Sequence, residues 1–183
     1  LNLLETEITN NETTENGGGV YIAQIDNSHI SDCKIQNNSG SEGGGIFSSE
    51  SVATINRTLL SGNLAYQGSA VKLFASDLDL INCTVVDNLD RNFGVNDGHI
   101  FVHHSPNSLT LVNTIVSNDA EYEIVSDYPS TSNGQDLISI EYSMLSGGNN
   151  LNITENTILT WGDGNLDVDP HFADQENEDY RLL

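Results

Sequence analysis

Arg91, Asp97 and His103 bring together, within thirteen residues, the side-chain types that general acid–base chemistry uses. A carboxylic acid and an imidazole placed across a bound sugar can act as acid and base. Asp97 and His103 fit those roles, so this cluster could bind or cleave a glycan. Rings stand in step with it: Phe101 beside His103, Lys72 and Phe74 one repeat earlier, and Tyr21 and Phe47 further back. Exposed rings in a line stack sugars, which makes Tyr21, Phe47, Lys72, Phe74, Phe101 and His103 a candidate binding row. Near the C-terminus Asp163, Asp167 and Asp169 offer oxygen ligands of the kind calcium takes. They are not an EF-hand, because Val168 stands where the sixth-place glycine belongs and Asp174 where the twelfth-place glutamate belongs. A plainer reading accompanies each set and asks less of the sequence. The first is a loop insertion on a solvated face, the second rings stacked on one another or covered by a neighbouring segment, the third a capping turn.

What must position these residues is a repeat punctuated by asparagine. Asn11, Asn38, Asn63, Asn88 and Asn118 each follow an aliphatic residue by three places, namely Ile8, Ile35, Leu60, Val85 and Ile115, in steps of 27, 25, 25 and 30 residues. A period of that size marks stacked supersecondary units. Before each asparagine, apolar or small residues alternate with period two and are broken once: Leu78, Leu80, then Cys83, Val85. That pattern predicts two short strands joined by a bend. After the asparagine come glycines and a third short strand, directing Val20 and Ile22, Ile46 and Ser48, Val71 and Leu73, or Ile100 and Val102 inward. Lys72 sets this parity, because the opposite register would bury it beside nothing of opposite charge. Three strands in about 25 residues is one coil of an all-β parallel β-helix solenoid, with equivalent residues about 4.8 Å apart along its axis. The asparagines are expected to tolerate left-handed turns and to bond amide to amide between coils.

The coil pattern locates the acid–base cluster. From the asparagine to the first inward residue of the third strand takes nine, eight and eight residues in the first three coils and twelve in the fourth. The surplus makes a protruding loop, Leu89 to Asp97, carrying Asp90, Arg91 and Asp97, followed by a strand that directs His99, Phe101 and His103 outward.

The units ending at these asparagines, paired with Gly17-Gly18-Gly19-Val20-Tyr21 and Gly43-Gly44-Gly45-Ile46-Phe47, resemble the repeats of polymorphic outer-membrane proteins and related secreted right-handed β-helix proteins. The tail from Gly164 to Phe172, followed by Asp179-Tyr180-Arg181-Leu182, is similar to the closing segment of many such bacterial proteins. The third copy departs from the motif, with Gly68-Ser69-Ala70 in place of the glycine run. The resemblance covers nearly the whole chain and implies a right-handed β-helix and an exported, extracellular or cell-surface location. That family mixes adhesins, structural proteins and polysaccharide-degrading enzymes.

Charge narrows the choice. The 27 acidic and 5 basic residues leave a net charge of -22, which speaks against nucleic acid and anionic membranes as partners, and against anionic polysaccharide unless divalent cations bridge the two. No apolar run is long enough to span a membrane. Lyases of the β-helix class need clustered carboxylates around calcium and a basic proton acceptor, yet only Lys72 and Arg91 of the basic residues fall near a plausible cleft. Hydrolases need paired carboxylates on one face, and Asp79 and Asp87 fall on different faces. Cys33 and Cys83 share an inward slot two coils apart with Thr58 between, about 10 Å by the coil spacing, too far for a disulfide. Five glycosylation-type triplets begin at Asn11, Asn37, Asn56, Asn82 and Asn152, several of them expected by chance in so asparagine-rich a chain.

The expected organisation is five coils and the start of a sixth over 1–147, with 119–135 as a long turn. Residues 148–183 are expected as an irregular segment packing on or capping the helix, anchored by Trp161 and Phe172. Leu1 enters the repeat in mid-phase, so the N-terminal coil edge is expected to meet further protein, from a longer chain or a neighbouring subunit. The reading that demands least is a structural or adhesive β-helix module with glycan as a candidate ligand and calcium as the one candidate cofactor. The alternative is a polysaccharide lyase or glycoside hydrolase.

Overall fold

The computed structural model describes residues 1–91, 98–104, 106–118, 121–127, 134–149 and 151–183. Three parallel sheets run along a solenoid of about 26 residues per turn. The first holds Asn2–Leu4, Ser28–Ser31, Val52–Asn56, Asp77–Ile81, Ser108–Val112, Asp136–Glu141 and Thr157–Trp161. The second runs from Glu7–Thr9 through Leu59–Ser61 and Thr84–Val86 to Met144–Leu145, and the third from Val20–Ala23 through Val71–Phe74 and Ile100–His103 to Ile124–Ser126. A short fourth pair, Leu64–Ala65 with Leu89–Asp90, lies in the turn between the second and third. Among the described residues the only helical turn is Gln175–Asn177.

The period-two pattern explains the interior. Ile30, Ile55, Leu80, Leu111 and Ile140 stack in register on the first sheet, and Ile35, Leu60, Val85, Val116 and Leu145 on the second, all buried. The third sheet turns Val20, Ile46, Val71, Ile100 and Ile124 inward, as the sequence pattern requires. Among the described residues the prism holds two buried hydroxyls without a hydrogen-bond partner, Ser28 and Ser48, and the corners carry the rest of the polar work.

At each corner a side-chain oxygen of one coil accepts the backbone N–H of the coil before it. The asparagine row is the fullest case. Asn38 Oδ1 accepts from Asn11 N at 3.0 Å and Asn11 Nδ2 at 2.9 Å, and the pattern repeats through Asn63 and Asn88 to Asn118. Glu123 then accepts from Asn118 N and Nδ2, each at 2.7 Å. A second row runs Ser51, Ser76, Asn107 and ends on buried Asp136. The third includes Thr58, Thr114, Ser143 and Asn165, with Cys33 N and Cys83 N donating to the Thr58 and Thr114 hydroxyls. Both cysteines are free and buried, and burial pushes the Cys83 thiol up to about 11.

The turn geometry corrects one expectation. The ladder asparagines are not the left-handed residues; those stand one place earlier, at Asn10, Asn37, Gly62 and Asp87, with φ of 58°, 56°, 64° and 53°. The ladder position needs a carboxamide aimed along the axis, whereas its predecessor absorbs the reversal. The same device recurs at the first-to-second corner, where Glu5, Asp32, Arg57, Asn82, Asn113 and Tyr142 all have positive φ. Coil backbones also approach closely at the glycine run: a Cβ on Gly44 would lie 2.6 Å from the carbonyl oxygens of Leu64 and Ser69.

Two segments differ from the expected outline. Within 119–135, expected as one turn, Ile124–Ser126 supplies the third-sheet strand of its coil, shorter than its neighbours and so hidden in the pattern. In the tail, Thr157–Trp161 continues the first sheet and Trp161 packs on the core. Phe172–Asp174 and Asp179–Leu182 form an antiparallel hairpin, with Phe172 edge-on to Tyr180 at 5.4 Å. This hairpin returns along the flank of the second sheet, where Asp87 accepts from Gln175 Nε2 at 2.6 Å and from the Tyr180 hydroxyl at 2.8 Å.

Candidate functional site

The outer face of the third sheet bears two rows. One is Tyr21, Phe47, Lys72, Phe101 and Val125, in register across five strands. Tyr21 is 56% exposed and stacks on Phe47 at 5.4 Å, but Phe47, Lys72 and Phe101 are 4%, 1% and 1% exposed. Phe47 and Phe101 are thus covered, which removes them from any surface that could stack sugars. Lys72 points out of the prism as expected, yet it is buried beneath the turns that precede the third-sheet strands. Its Nζ lies 3.0 Å from Glu42 Oε1 and 2.5 Å from Gln67 Oε1, with the Phe101 ring centroid 4.9 Å away. The opposite charge comes from outside the prism, where Glu42 reaches Lys72 from the preceding coil, a contact with no signature in the inward pattern. Burial pulls the Lys72 amine below the usual lysine range, against the pull of Glu42.

The second outward row, Ser49, Phe74 and His103, is half-buried. His103 Nδ1 sits 2.6 Å from Asp127 Oδ1, which orients the ring, and the Phe74 centroid is 5.8 Å from it. His104, left-handed with φ of 64°, lays its ring flat on Phe74 at 4.6 Å. His99, expected to face outward, is buried with Nδ1 2.6 Å from Ser69 Oγ. Asp97 lies outside the described residues.

Arg91 belongs to a different place. It lines an open groove with Glu12, Thr13, Thr14, Gly40, Ser41 and Tyr66. Its guanidinium carbon lies 5.4 Å from the Tyr66 ring centroid, its Nη2 donates to Ser39 Oγ, and its Nε is buried with no hydrogen-bond partner. Lys34, Arg57, Lys72 and Arg181 are each paired with a carboxylate, Glu7, Asp32, Glu42 and Asp179. Among the described residues Arg91 is the one Lys or Arg without such a pairing. Thr14, Ser41, Tyr66 and Arg91 each stand three places after a ladder asparagine, so the groove wall is itself a column of the repeat. That spacing was present in the sequence and could have found Tyr66, Thr14 and Ser41.

The acidic tail residues are separately engaged. Asp167 Oδ1 accepts from Gly147 N at 3.1 Å and Asp169 Oδ1 from His171 N at 2.8 Å, while the Asp163 carbonyl accepts from Tyr142 N at 2.9 Å. Among the described residues no three His, Cys, Asp or Glu side chains are gathered to hold a metal ion. Within the described residues, too, no helix is long and apolar enough to cross a membrane. Comparison with family models, with curated proteins and with solved structures finds no match for this chain.

Proposed function

We propose that this solenoid is an exported structural and adhesive module, displayed outside the cell, that holds a linear glycan along its flank. One observation carries the reading: the column Thr14, Ser41, Tyr66 and Arg91 runs parallel to the solenoid axis at the coil spacing. Hydroxyl, hydroxyl, ring and guanidinium in line give successive sugar units hydrogen bonds, a stacking edge and a forked donor. Arg91, which has no carboxylate partner among the described residues, brings a cationic guanidinium to the groove wall as a donor for sugar oxygens. The net charge of -22 repels a polyanion, so the ligand is a neutral chain.

Binding to a panel of neutral linear oligosaccharides by calorimetry tests this. Arg91→Gln and Tyr66→Ala are each expected to weaken binding about tenfold or more, the loss of one charge-assisted or stacking contact. Unchanged affinity in both variants, or no binding across the panel, refutes the assignment. The enzymatic alternative draws on the oriented His103–Asp127 pair. It requires new reducing ends or an unsaturated product to form from the bound glycan and to disappear in His103→Gln.

A further inference from the structure

Lys72 is satisfied as a cation and yet placed as a nucleophile. Its Nζ is enclosed between strands bearing Phe47 and Phe101, lies over the Phe101 ring and, among the described residues, has two polar side-chain partners, the Glu42 carboxylate and the Gln67 carboxamide. Those two are neighbours on successive coils, joined as a parallel bridge, so the backbone ladder aims both at one amine. An amine, an acyl carbon bearing a leaving group, and a carboxyl between water and the interior are the parts that amide exchange requires.

We propose that Lys72 and Gln67 join in an intramolecular isopeptide bond, with Glu42 as the catalytic proton carrier. Within the Lys72–Glu42 pair the proton passes to Glu42, leaving a neutral amine; burial of Lys72 favours this form. Nζ adds to the Gln67 Cδ, forming a C–N bond and moving the carbonyl electron pair onto Oε1. Glu42 gives its proton to Nε2 and takes one from Nζ. The electron pair on Oε1 reforms the carbonyl, the Cδ–Nε2 bond breaks, and ammonia leaves. The balance is amine plus carboxamide giving substituted amide plus ammonia, with neither oxidant nor cofactor. The Glu42 side chain is 34% exposed, which gives the ammonia a way out. The product carries no buried ammonium, so the desolvation cost of Lys72 disappears with the bond.

Intact-mass spectrometry on the folded protein, held in neutral buffer until its mass stops changing, decides the matter. The expected result is a mass about 17 Da below that of the sequence, one ammonia lost. Tandem spectra are expected to place the loss in a peptide joining Gln67 to Lys72, with no tryptic cleavage after Lys72 in denaturant. Lys72→Met keeps the apolar stem and is expected to fold at full mass, as is Glu42→Gln. Full sequence mass in the folded wild type overturns the proposal. So does a loss of about 18 Da joining Lys72 to Glu42, or a loss traced to an asparagine succinimide.

Discussion

Glu123 ends the asparagine ladder as a buried carboxyl, 2% exposed, whose two oxygens each accept an N–H from Asn118. The hydrogen bonds favour the carboxylate, but burial outweighs them and raises its pKa from 4.5 to about 7. The folded protein therefore keeps a proton that the unfolded chain has already released between those values. Its contribution is fully present below the unfolded value and is lost as pH rises through about 7. Linkage puts the loss at about 2.5 kcal/mol between pH 5 and pH 8, or roughly 5–10 °C in melting temperature for a chain of this size. Glu123→Gln is neutral throughout and lacks this term. Denaturant unfolding followed by Trp161 fluorescence, on both proteins at both pH values, isolates it from the other carboxylates. The stability difference between wild type and Glu123→Gln is expected to shift by that amount; a difference that stays constant refutes the reasoning.

Asn63→Ala removes a carboxamide that accepts from Asn38 N and Nδ2 and donates to Ile35 O and Asn88 Oδ1. Orphaning these buried groups is expected to cost about 3–5 kcal/mol in denaturant unfolding. Leu60→Asp sets a charge in the dry prism between Ile35 and Val85, and a melt like that of the wild type would remove Leu60 from the interior; the expected loss is on the order of 4 kcal/mol or more.

The interior was legible because its rule is local. Period-two alternation fixes which of Leu78, Leu80 and Val85 face inward, and the coil period fixes which residues they meet, so Cys33, Thr58 and Cys83 fell into one row without further information. What covers the outer face was not legible, since the turns over Lys72 and Phe101 pack according to tertiary contacts that leave no periodicity. Doublets hid the left-handed site: in Asn10-Asn11 and Asn37-Asn38 the turn and the ladder use the same residue type one place apart. The binding column was hidden differently, because Thr14, Ser41, Tyr66 and Arg91 share a position but no chemistry, and alignment by residue type passes over them.

The corner rows all point one way. In each, backbone N–H groups donate to a side-chain oxygen of the next coil, so these bonds share one direction along the axis, as the peptide bonds of a helix do. The last donors of two rows meet the side-chain carboxyl oxygens of Glu123 and Asp136. Among the described residues both carboxyl groups only accept in these contacts and pass no bond to a later coil, so each of these two rows has a terminus written into it. Length is then free to vary only upstream: a copy of Val52–Ser76 inserted in tandem would find the donors and acceptors of its corner rows already matched on both sides, leaving the Glu123 and Asp136 ends untouched.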